Sequence, residues 1–122
     1  VSFDAQITFL PTRDMEACHA FYAGLLGLDL ALDQGACRLY RSTPSAYVGF
    51  CSHGAPMTDP DRVVLTLVTD DVSGWHARLT EAGARVDGPP RQNERFRIFH
   101  FYAFDPDGYR VEIQRFDDPA WI

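Results

Sequence analysis

Two residues near the end of the chain, His100 and Glu112, flank its strongest turn signal, Asp105-Pro106-Asp107-Gly108. Proline presets the backbone for a turn and glycine accepts the left-handed conformation that closes one, so strands at 96–104 and 109–116 are expected to fold back on each other. With the turn spanning 105–109, Phe104 opposes Arg110, Tyr102 opposes Glu112 and His100 opposes Gln114. Strand alternation then gathers His100, Tyr102, Phe104, Arg110, Glu112 and Gln114 on one face and sends Phe101, Ala103, Val111 and Ile113 to the other. A histidine diagonal to a carboxylate has the makings of a general base, the carboxylate orienting the ring. The competing reading is that His100 only bonds Tyr102 or a backbone group, or faces water.

The remaining chemistry-bearing residues are more scattered. His76 falls on an apolar helical stripe and reads as a satisfied core or edge residue. His19 lies beside another such stripe, and His53 opens the Gly/Pro-rich stretch 52–61. Cys18, Cys37 and Cys51 form no C-x-x-C pair, which excludes a zinc knuckle or a thioredoxin motif. They are expected to be unoxidised buried thiols in a reducing compartment, the cytoplasm. All eleven positive side chains are Arg, so Schiff-base chemistry and phosphate cradling through Lys are excluded.

The elements that must position these residues come in a repeat. Ile7-Thr8-Phe9-Leu10 precedes Asp14, a helical pattern and Gly27; Val63 to Val68 precede Asp71, a helical pattern and Gly83. Cys18, Phe21, Tyr22 and Leu25 recur at helical spacing, as do Val72, Trp75, His76 and Leu79. Asp14 and Asp71 stand where an N-cap carboxylate accepts the first amides, and Gly27 and Gly83 where a left-handed residue ends a helix. Strands are expected at 6–11, 28–33, 37–41 and 46–52, then at 63–69, 85–87, 96–104 and 109–116. Each half thus reads β-α-β-β-β. The fold class expected is α+β, with two side-by-side modules forming a curved mixed sheet, helices on its outer face and a trough on the other. Module one covers about 5–53, a linker 54–61, module two about 62–116 and a tail 117–122, all one domain.

Strand phase points Ile7 and Phe9 into the trough from the first half, and Val64, Thr66 and Val68 from the second. With Tyr102 and Phe104 they make an apolar, aromatic wall, and His100, Arg110, Glu112 and Gln114 supply its polar groups. That composition suits a small-molecule pocket for a planar or aromatic ligand with a cationic or hydrogen-bonding group that Glu112 meets. The alternative is that the aromatics fill the trough as a second core. The stretch 88–97 reads as a loop whose Arg91, Arg95 and Arg97, beside Glu94, either bind an anion or are solvated.

The 122 residues are 46% hydrophobic and 23% charged, enough apolar material for a core of this size. The net charge of −6, with no basic run, argues against a nucleic-acid or anionic-membrane partner and favours cationic ligands. No apolar stretch approaches the ~18 residues of a membrane span, and no secretory signal is visible. The apolar ending Trp121-Ile122 and the aromatic sheet faces point to a homodimer.

Asp14 with Phe21-Tyr22 and Leu26-Gly27-Leu28, together with Asp105-Pro106-Asp107-Gly108 leading to Glu112, resembles the signature of the vicinal oxygen chelate superfamily. That group includes glyoxalase I, bleomycin- and fosfomycin-resistance proteins and extradiol dioxygenases, and the resemblance covers about residues 5 to 116. In its metal-dependent members a divalent ion is held by a first-strand residue of each half and by the last-strand Glu. The resemblance places those positions at Ile7, Val64 and Glu112. Neither Ile7 nor Val64 can coordinate an ion, and Gln6 is one residue off, on the opposite face. The resemblance therefore implies metal-free ligand binding, with no cofactor, in the manner of the bleomycin-resistance proteins. Glu112→Gln should then weaken binding and leave folding nearly intact. The other class it leaves open is a lyase, isomerase or dioxygenase with an atypical metal or base site using His100 and Glu112.

Overall fold

The structure is a computed structural model that describes residues 1–121. The chain divides into two compact units, Val1–Asp59 and a second beginning at Pro60.

The first unit holds β1 (Gln6–Pro11), α1 (Met15–His19), a π-helical segment Ala20–Leu25, β2 (Asp29–Asp33), β3 (Cys37–Thr43) and β4 (Ala46–Cys51). The strands form one mixed sheet in the order β1-β4-β3-β2, with β1 parallel to β4 and the other pairs antiparallel. The Asp14 carboxylate accepts from the amides of Glu16 and Ala17, both at 3.1 Å, and so starts α1 as its type and place require. The helix does not stay α-helical. At Ala20 it widens, and Leu26 N–H reaches back five residues to the Phe21 carbonyl at 2.9 Å. The wider turn buries Leu26 rather than the Leu25 of the expected stripe, alongside Phe21 and Tyr22. These rings meet Tyr40 and the fully buried Phe50, whose ring centre lies 4.4 Å from that of Tyr22. Gly27, with φ of 73°, closes the segment.

The second unit holds a 3-10 turn (Pro60–Arg62), β5 (Val64–Val68), α2 (Val72–Glu81), β6 (Arg85–Val86), β7 (Arg91–Asn93), β8 (Ile98–Phe104) and β9 (Arg110–Phe116). Its sheet runs β5-β9-β8-β6, with β7 also on β8; β5 is parallel to β9 and the rest are antiparallel. Asp71 caps α2 through the Gly74 amide at 3.0 Å. The helix lies on the face of β8 and β9 that carries Phe101, Ala103, Val111 and Ile113, all buried. His76 is satisfied there as expected, its Nε2 3.0 Å from the Gly88 carbonyl and its ring edge-on to Phe101.

The molecule is therefore α+β, with two repeated mixed sheets, and two expectations need correction. First, 88–97 is not all loop. Arg91–Asn93 pairs with 98–100 as β7, and Arg91 grips the Asp87 carboxylate through two hydrogen bonds at 2.9 and 2.6 Å. Second, Cys37 and Cys51 are not thiols. The β3–β4 register sets them directly opposite, with Cα atoms 4.1 Å apart, and they form a disulfide. Cys18 stays a buried thiol. At the end of the chain the Trp121 ring stacks on Phe116 with ring centres 4.3 Å apart, and Ile122 lies outside the described residues.

Candidate functional site

The β8–β9 hairpin builds the site. Asp105 accepts from the Asp107 and Tyr109 amides, both at 2.9 Å, and Gly108 takes a φ of 91°, which only glycine tolerates without strain. That turn fixes the register read from the sequence: Phe104 opposite Arg110, Tyr102 opposite Glu112 and His100 opposite Gln114. From the other side β5 brings Thr66 level with Glu112.

Four side chains of these three strands meet. The Thr66 hydroxyl donates to Glu112 Oε1 at 2.8 Å, and His100 Nδ1 donates to Glu112 Oε2 at 2.8 Å. With the Gln114 amide turned so that its nitrogen faces the carboxylate, it donates to both oxygens at 3.1 Å. Four donor contacts are what a carboxylate's lone pairs accept. Glu112 is only 8% exposed, so these bonds replace the water it gave up. A carboxylate oxygen only accepts, so in the neutral imidazole the His100 proton sits on Nδ1 and Nε2 is the lone-pair acceptor. Among the described residues nothing hydrogen-bonds to Nε2.

The surroundings are aromatic. Tyr102 stands edge-on to His100 with ring centres 5.4 Å apart. Burial first, then the Glu112 charge, push the Tyr102 phenol above its ordinary range, so it stays a neutral hydroxyl. The Arg110 guanidinium lies over the Tyr102 and Phe104 rings at 5.2 and 5.3 Å, and its Nε donates to the Asp61 carbonyl at 2.9 Å. Val64 and Val68 flank Thr66 on the same face of β5, each 47% exposed.

Ile7 and Phe9 belong to the first unit's sheet, 41% and 53% exposed. Phe9 lies across Gly49, where a Cβ would come within 2.6 Å of its ring. Phe9 and Thr66 each stand five residues before the capping Asp, and Gly49 is the partner of Phe9 as Glu112 is of Thr66. The two sheets thus carry the same position differently, a carboxylate in one and an aromatic ring over a glycine in the other. On β5 it is Thr66 that lies level with Glu112, while Val64 lies level with Arg110.

One supporting residue escaped the sequence. Asp87 accepts from the Tyr102 amide at 2.9 Å and from Arg91, and so ties β8 to β7 behind the site. The Arg91 hydrogen bond, followed by the Tyr102 amide, holds the Asp87 carboxyl below its ordinary range. A depressed folded-state pKa stabilises the fold above the unfolded value near 3.8 and is lost as pH falls through the folded one. Asp87→Asn is therefore expected to cost about 1 kcal/mol at pH 7 and progressively less below pH ~4, read by urea unfolding at several pH values.

The chain is thus built of a β-α-β-β-β unit and a second unit of the same plan with the added strand β7, and the polar cluster of Thr66, His100, Glu112 and Gln114 lies on the second sheet. The profile of the Glyoxalase/Bleomycin resistance protein/Dioxygenase superfamily matches residues 5–113, and the chain belongs to that superfamily. It is similar in structure to a glyoxalase/bleomycin resistance protein/dioxygenase from Nocardioides, with a TM-score of 0.80 at 16% identity over 100% of this chain and 90% of that one. It is similar also to a lactoylglutathione lyase from Agrobacterium tumefaciens, with a TM-score of 0.72 at 20% identity over 90% and 91% of the two chains. An integron cassette protein from the mobile metagenome of Halifax Harbour sewage outfall gives 0.77 at 17% identity over 91% and 97%. These likenesses carry the fold. No curated protein matches the chain. No described helix is long and apolar enough to cross a membrane.

Proposed function

We propose that this protein binds a small aromatic or cationic molecule without a metal, on the sheet face that carries His100 and Tyr102, and sequesters it. The observation that carries the reading is the occupancy of Glu112. A divalent ion there would have to displace Thr66, His100 or Gln114 from the carboxylate, and β5 offers a hydroxyl and two valines in place of imidazole or carboxylate. The donor set does not fit a resident metal.

The ligand-facing acceptor is then His100 Nε2. The buried Glu112 charge behind the ring raises the affinity of that lone pair for an N–H donor, and an ammonium or amidinium bound there also gains from the net charge of −6. Tyr102, Phe104 and the exposed valines of β5 supply flat apolar area for an aromatic body. A homodimer remains part of the proposal, supported by Leu30 and Leu32, both exposed on the edge strand β2.

The same dyad supports a second reading, a lyase or isomerase in which Nε2 removes a substrate proton. A thermal-shift screen of cationic aromatic compounds, run in excess chelator, tests the first reading. The expected result is stabilisation by such compounds that survives chelation and falls about tenfold in affinity in His100→Ala. Ligands that stabilise only after metal is added, or that bind His100→Ala as well as wild type, contradict it. Chemical change of a bound compound that stops in His100→Ala moves the protein to the second reading.

A further inference from the structure

The first unit holds a second cluster that the reading above does not use. Cys37 and Cys51 face each other across β3 and β4, and the exposed His53, two residues beyond Cys51, puts its Nδ1 3.8 Å from Cys37 Sγ. The three ligand atoms all lie within 4.8 Å of one another. They open on a groove of about 510 Å³ that Phe9, Pro11, Gln34 and Ala55 also line.

We propose that reduction of the Cys37–Cys51 bond turns this cluster into a binding site for a thiophilic d10 cation, Zn²⁺, held by two thiolates and one imidazole. Three observations carry the proposal. The first is geometry. In a tetrahedral zinc site, sulfurs at about 2.3 Å and nitrogen at about 2.0 Å from the metal stand roughly 3.8 Å from each other and 3.5 Å from nitrogen to sulfur. The His53–Cys37 separation of 3.8 Å already lies close to the second value. A Cα–Cα distance of 4.1 Å lets the sulfurs part to the first by side-chain rotation, with the ladder intact.

The second observation is ligand chemistry. The groove is lined by no carboxylate, so a hard cation such as Mg²⁺ or Ca²⁺ finds no anionic oxygen, whereas thiolate and imidazole suit zinc. The third is access. His53 is exposed and Cys37 half-buried, so an ion can enter, and three protein ligands leave one position open to water or a small thiol.

Disulfide and zinc exclude each other. A dithiol reductant supplies two electrons and two protons, is itself oxidised to a disulfide, and leaves two thiols on the protein. Zn²⁺ then displaces both protons. In reverse, a small-molecule disulfide takes the two electrons and, with two protons from water, becomes a dithiol, while the protein's S–S bond re-forms and the ion is released.

The test uses the whole chain, reduced with a water-soluble phosphine that takes up the oxygen of one water while its two protons go to the sulfurs. After anaerobic removal of the phosphine, Zn²⁺ is titrated against a chromogenic chelator, and Co²⁺ is used in parallel for its thiolate charge-transfer absorption. The expected result is about one Zn²⁺ per reduced chain and none per oxidised chain. Cys51→Ser should lose affinity by about a hundredfold or more and His53→Ala by about tenfold, while Glu112→Gln binds as wild type. His53 lies in an exposed bend, so His53→Ala tests the site even if the cysteine variants fold poorly. Failure of the reduced chain to bind zinc, equal binding by His53→Ala, absence of the charge-transfer band, or zinc lost on changing Glu112 would each overturn the proposal.

Discussion

Glu112→Ala is expected to lower the unfolding free energy by about 3 kcal/mol, far more than a surface glutamate would. The carboxylate is buried and accepts from Thr66, His100 and Gln114. Removing it leaves an imidazole N–H and an amide facing a small void, and the donors that matched a carboxylate have nothing in its place. Glu112→Gln keeps the volume but brings a donor against donors, so it too is expected to cost stability, by about 1–2 kcal/mol. This departs from the expectation, natural for a residue on a ligand-facing sheet, that folding would be nearly untouched. Burial of Glu112 is the reason. Urea unfolding of both variants beside wild type checks the order; a midpoint for Glu112→Ala equal to wild type would mean that the bonds to Glu112 are not formed.

Phe50→Ala should be the most damaging single change in the first unit, costing about 3–5 kcal/mol. Phe50 is fully buried on β4 beneath the π-helical segment, against Tyr22 at 4.4 Å and Tyr40 at 6.2 Å between ring centres. The π-turn exists to seat Phe21, Tyr22 and Leu26 together, so a void below it removes the packing that offsets its weaker hydrogen bonding. Calorimetry of the variant should show a large loss in melting temperature. A change of a degree or two would show that the segment collapses onto the void without cost.

What could be read in the sequence was what local signals set. The β8–β9 register followed from Asp105-Pro106-Asp107-Gly108, because a tight turn leaves only one pairing, and the company of His100, Tyr102, Glu112 and Gln114 came with it. The caps at Asp14 and Asp71 were legible for the same reason. Pairings between strands joined by no turn were not. The level of Thr66 with Glu112 depends on a parallel register set across the whole second unit. The facing of Cys37 and Cys51 depends on the β3–β4 register, which a bulge between Arg41 and Thr43 shifts. β7 is Arg-Gln-Asn, with no apolar alternation to announce it, and it is held by β8 and by Asp87. The π-turn answers to which rings need burying, which helical periodicity alone does not specify.

The central claim is that His100, backed by Glu112, meets a ligand directly and that the pair holds no metal. Elemental analysis of the oxidised chain, purified without chelator, tests it most directly, since the disulfide keeps Cys37 and Cys51 from taking up an ion. The account predicts less than a tenth of an equivalent of Zn, Fe, Mn or Ni (roughly background), the same in wild type, Glu112→Gln and His100→Ala. About one equivalent per chain in wild type, lost in either variant, would contradict it and place the protein among the metal-dependent enzymes of its superfamily.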